Sequence, residues 1–130
     1  MNKLYRSALI LPALAATLLP FSVADAQTAG LTIEPDAQLI NDNQVLVEGT
    51  IACQPGAFVF VNVDLTQNGT QSGGGTSFVC NSFGQEDWSV TVNSFGDIWH
   101  KGKAHVFATA GVCTFNCALY SSSRDVHIQE

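Results

Sequence analysis

The chain has 130 residues, with five Lys and Arg against eleven Asp and Glu and a formal net charge of −6. With no basic patch to release counterions from phosphates, nucleic acid and anionic membrane surfaces are excluded as partners. The length supports one domain with a single core and leaves no room for a second.

Residues 1–26 have the form of a cleaved secretory signal. Lys3 and Arg6 give a positive start, Ala8 to Val23 form the apolar stretch, and Ala24-Asp25-Ala26 supplies the small-x-small cleavage site. The mature domain is then residues 27–130, beginning at Gln27, in a secreted or periplasmic setting. Its only basic residues are Lys101, Lys103 and Arg124, against ten acids. No later stretch approaches the roughly 18 apolar residues of a membrane span, so no membrane attachment is expected after cleavage.

The rest of the chain reads as short strands separated by turn residues. Leu31 to Glu34 and Gln38 to Ile40 form a first strand broken at Pro35, and Asn41-Asp42-Asn43 turns the chain. That turn could offer oxygens to calcium, but local turn chemistry suffices to explain it. Gln44 to Cys53 follows, with Val45, Val47, Ile51 and Cys53 on one face and a bulge expected at Gly49. After Pro55-Gly56, Ala57 to Thr66 is the longest expected strand. Val59, Val61, Val63 and Leu65 alternate along it with Phe58, Phe60, Asn62 and Asp64. Asn68 to Gly75 is polar and glycine-rich and is expected to be a mobile loop, with a formal glycosylation sequon at Asn68-Gly69-Thr70.

Thr76 to Asn81 resumes as strand, with Phe78 and Cys80 inward. Glu86 to Asn93 points Trp88, Val90 and Val92 inward. A loop through Phe95, Trp99 and Gly102 leads to strands at Lys103 to Ala110 and Leu119 to Ile128. About seven strands with turns every 8 to 12 residues predict an all-β, immunoglobulin-like antiparallel β-sandwich.

Cys53, Cys80, Cys113 and Cys117 are an even set in an oxidising compartment, which predicts two disulfides. Cys113 and Cys117 bracket a three-residue loop of hairpin size, so they pair with each other and leave Cys53 to Cys80. A zinc site is disfavoured by spacing that is not of the paired C-x2-C kind. A blue-copper site would need a free thiolate and usually a methionine, and Met1 belongs to the leader.

The order Gly49-x-Ile51-x-Cys53, a Val-alternating strand ending in Gln67, a Gly-rich segment, Cys80, Trp88-x-Val90-x-Val92 and Gly102-Lys103-Ala104-x-Val106-x-Ala108 resembles small secreted bacterial domains of unknown function, of the actinobacterial type. The resemblance covers roughly residues 45 to 110. It implies an exported β-sandwich and supplies no site. A looser likeness links the chain to neocarzinostatin-type chromoproteins, which also combine a signal peptide, an acidic seven-strand sandwich and two disulfides, with different cysteine spacings.

Catalytic constellations are missing, and no enzyme activity or cofactor is expected. There is no G-x-S-x-G elbow, and Gly73-Gly74-Gly75 lacks the following Lys-Ser/Thr of a phosphate cradle. Ser123, Asp125 and His127 alternate along one strand face, which cannot wrap a nucleophile, base and orienter around one proton path. Glu86 and Asp87 are adjacent and so point to opposite faces. The candidate surface is instead an outer sheet face. With Val106, Ala108 and Ala110 in the core, His105 and Phe107 face out beside Phe58, Phe60 and His127. Exposed aromatics in a row mark contact surfaces. The leading expectation is a secreted, non-enzymatic domain binding a protein or small hydrophobic ligand there. Its rival is a structural envelope or accessory domain without a ligand.

Overall fold

Period-two alternation of apolar and polar residues governs the folded chain. The computed structural model describes residues 30–130, and the expected leader at residues 1–26 lies outside the described residues. Every described element is a strand. These are β1 (Leu31–Ile33), β2 (Asp36–Asn41), β3 (Gln44–Ala52), β4 (Phe58–Gln67), β5 (Thr70–Val79), β6 (Gln85–Asn93), β7 (Gly102–Cys113) and β8 (Cys117–Gln129). The longest is β8, with 13 residues, and not β4 as the sequence suggested.

The strands are hydrogen-bonded in the order β1-β3-β2-β8-β7-β4-β5, with β6 on the other flank of β3. The expected two sheets are thus joined into one eight-stranded sheet. The link is β2, which pairs antiparallel with β3 and parallel with β8. Pro35 explains the transfer. It has no N–H to continue the β1 ladder, and its carbonyl accepts a 2.8 Å hydrogen bond from His127 N, which carries the chain across to β8.

One face of this sheet closes over a single core. Val59, Val61, Val63 and Leu65 on β4 and Val106, Ala108 and Ala110 on β7 are buried, as the parity argument requires, and they share the core with Val45, Val47, Trp88 and Val90. The outermost strands β5 and β6 approach each other, and the Ser72 hydroxyl donates to Asn93 O. The loop after β6 folds back so that Trp99 is buried, its backbone N–H donating to Asp42 O at 2.8 Å. Buried Gln67 fixes the end of this loop. Its side-chain amide donates to His100 O at 2.8 Å and accepts from His100 N at 2.9 Å.

Two local expectations are corrected. Asn68 to Gly75 is not a loop: only Asn68-Gly69 turns, with φ of 49° and 85°, and Gly73, Gly74 and Gly75 pair with Asp64, Val63 and Asn62. Asn-Gly is the pair that a two-residue hairpin turn favours, because both positions need positive φ. Gly49 is not a bulge either. It stays in register opposite Trp88, and a Cβ there would lie 2.5 Å from Trp88 Cζ2, so the missing side chain makes room for the indole. The register shift occurs instead in β2, between Leu39 and Asn41.

Both expected disulfides form. The Cα atoms are 6.0 Å apart for Cys53–Cys80 and 4.0 Å for Cys113–Cys117, the latter pair directly opposite each other across β7 and β8. The pairing suits an oxidising compartment.

Candidate functional site

Register converts the four adjacent strands β5, β4, β7 and β8 into rows, because directly opposed residues share a face. On the outer face the first row is Val79, Phe58, Cys113 and Cys117. The next is Ser77, Phe60, Gly111 and Leu119, followed by Gly75, Asn62, Thr109 and Ser121. Then come Gly73, Asp64, Phe107 and Ser123, and after them Gln71, Thr66, His105 and Asp125. Lys103 opposite His127 completes the face.

All five sequence-derived candidates lie on this face, but they fall into two groups. Phe58 and Phe60 are neighbours, with ring centroids 6.5 Å apart. Phe107 is separated from them by the polar row of Asn62 and Thr109, and His105 and His127 lie further along. Phe58 is 50 % and Phe107 44 % exposed. Phe60 is less exposed because its ring covers Gly111, where a Cβ would run into Phe60 Cζ.

The apolar group is larger than the sequence indicated. Val79, 62 % exposed, and Leu119, 76 % exposed, flank the two phenylalanines, and Phe115 stands fully exposed at the tip of the Cys113–Cys117 hairpin. A shallow depression of about 360 Å³ runs between Phe60, Thr109, Leu119 and Ser121. The three rows from Val79 to Ser121 contain no charged side chain. The signal for Val79 was the Asn68-Gly69 turn, since a two-residue turn places residue 79 opposite residue 58.

The other end of the face is polar and charged. His105 Nδ1 donates to Asp125 Oδ1 at 3.0 Å, and Lys103 Nζ lies 3.3 Å from Asp125 Oδ2. The His105 hydrogen bond, opposed by partial burial and aided by Lys103, holds the Asp125 carboxyl below its ordinary range. This is a surface ion cluster that orients its side chains. Among the described residues no group of three or more His, Cys, Asp or Glu is placed to hold a metal ion. Compared with known protein families and with characterised proteins, the chain matches none.

Proposed function

We propose that the chain is an exported, non-enzymatic binding domain whose contact surface is the apolar end of the outer face, with a protein or a small hydrophobic ligand as its partner. One observation carries the reading: Phe58, Val79 and Leu119 stand exposed around the Phe60 ring, in three rows without a charge, on a chain of net charge −6. Water penalises such a grouping unless something covers it. Export rests on the Ala24-Asp25-Ala26 cleavage site and accords with the two disulfides.

The test is affinity capture from culture supernatant with the wild type and a Phe58→Ser/Leu119→Ser variant, together with binding of an environment-sensitive apolar dye. Both signals should disappear in the variant while its fold is retained. If wild type and variant retain the same material and the same dye, the outer face is not the contact surface and the structural-domain alternative is favoured. N-terminal sequencing of the exported protein should begin at Gln27.

A further inference from the structure

A second, chemically different concavity opens where the disulfides lie. The connection between β3 and β4 is laced to that between β5 and β6 by the Cys53–Cys80 bond. Three backbone bonds reinforce it: Cys53 N to Gly84 O (3.0 Å), Gly56 N to Cys80 O (2.9 Å) and Cys80 N to Ala57 O (2.8 Å). Facing this wall is the β7–β8 hairpin, closed by Cys113–Cys117 and by Thr114 N donating to Asn116 O at 3.0 Å. The cleft between them measures about 540 Å³, and its lining includes Gln54, Val112, Thr114, Asn116, Ala118 and Tyr120.

The lining selects a class of ligand. It contains no Asp, Glu, Lys, Arg or His, so a charged group entering it would lose water without gaining a counter-charge. Among the described residues, the side-chain amides of Gln54 and Asn116 and the hydroxyls of Thr114 and Tyr120 have no hydrogen-bond partner. Each amide presents donors and an acceptor side by side, which matches adjacent hydroxyls. Tyr120, whose ring packs against Gly30, joins Val112 and Ala118 in providing apolar surface for C–H groups. The volume lies within the usual span for small-molecule sites, about 300–1,000 Å³. Two covalently closed walls lose little freedom on binding.

We infer that this cleft is a binding site for a neutral polyhydroxylated ligand of mono- or disaccharide size. The site adjoins the apolar outer face at the 113–117 hairpin but rests on different polar side chains, Gln54, Thr114 and Asn116, so it is tested independently of that face. The experiment is a two-dimensional amide NMR titration of the oxidised, exported protein with maltose, cellobiose and diacetylchitobiose. Glucuronate and glucosamine serve as charged counterparts.

The expected result is saturable shifting of amides at residues 52–54, 84, 112, 114, 116, 118 and 120 by at least one neutral sugar. Affinity should fall about tenfold in Asn116→Ala and in Gln54→Ala. Both side chains are exposed, so both variants should melt like the wild type. Absence of saturable shifts with every neutral sugar would overturn the inference. So would shifts confined to the outer face, unchanged affinity in both variants, or tighter binding of a charged sugar.

Discussion

Removing each disulfide by paired Cys→Ala substitution separates their roles. Cys53–Cys80 closes a separation of 27 residues and Cys113–Cys117 one of four. The loop-entropy relation gives about 3.5 kcal/mol for the first and about 1.9 kcal/mol for the second at 25 °C. In a domain of this size each kcal/mol shifts the melting temperature by about 4–8 °C, so the two variants should differ by about 6–13 °C. Burial acts in the same direction, because Cys80 belongs to the core while Cys117 is exposed. The measurement is a thermal melt by circular dichroism of wild type and both double variants, at equal concentration and with pairing verified by non-reducing peptide mapping. The Cys53→Ala/Cys80→Ala variant should melt lowest. Equal melting temperatures, or the reverse order, would refute the loop-entropy reasoning.

The Phe58→Ser/Leu119→Ser variant tests the exposed face energetically. Full burial of such side chains is worth about 1.5–3 kcal/mol each, and with about half of Phe58 and a quarter of Leu119 covered the expected cost is about 1–2 kcal/mol in a denaturant titration. A loss above about 4 kcal/mol would match core truncations and place these residues in the core. Gly49→Ala should destabilise strongly, by at least the 1–3 kcal/mol typical of overpacking, because the new Cβ meets Thr32 O and the Trp88 ring. A shift in tryptophan fluorescence should accompany the loss, and a neutral effect would contradict the packing of Trp88 on Gly49. Asp125→Asn tests the ion cluster. The folded-state pKa of Asp125 is lowered, so its contribution is present above the ordinary value of 3.8 and lost as pH falls through the lowered value. The stability difference between wild type and variant should therefore close only at acidic pH, and a difference that persists unchanged there would rule out the carboxylate as its source.

What could be read from the sequence was whatever depends on spacing along one strand. The parity of Val59, Val61 and Val63 against Phe58 and Phe60 assigns inside and outside, because the side-chain period is two and the aliphatic row is the longer one. Hairpin-length spacing likewise identifies the Cys113–Cys117 pair. Features that depend on register between strands distant in sequence were hidden. Nothing near Phe60 announces that Gly111 lies opposite it, or that Leu119 completes the same row from a third strand. Composition misled at Gly73 to Gly75, where three poor strand formers are held by the ladder of β4 and by the turn at Asn68-Gly69. The parallel contact of β2 with β8 was hidden for the same reason, since it brings Asp36 beside His127.

The two proposed surfaces meet at one small element, the hairpin at residues 113–117. Thr114, Asn116 and Cys117 line the cleft, whereas Phe115 stands exposed at the tip and Leu119 faces the apolar end of the outer sheet. A free hairpin would lose backbone and side-chain freedom on contact with any partner, and that loss would offset much of the gain from covering Phe115 or satisfying Asn116. The Cys113–Cys117 bond removes much of that freedom in advance. It contributes less to global stability than Cys53–Cys80 because its loop is shorter, and it lies where rigidity would matter to both proposed surfaces. The two bonds thus divide their work: Cys53–Cys80 ties Cys80 of the core to the connection before β4, while Cys113–Cys117 holds the hairpin shared by the two proposed surfaces.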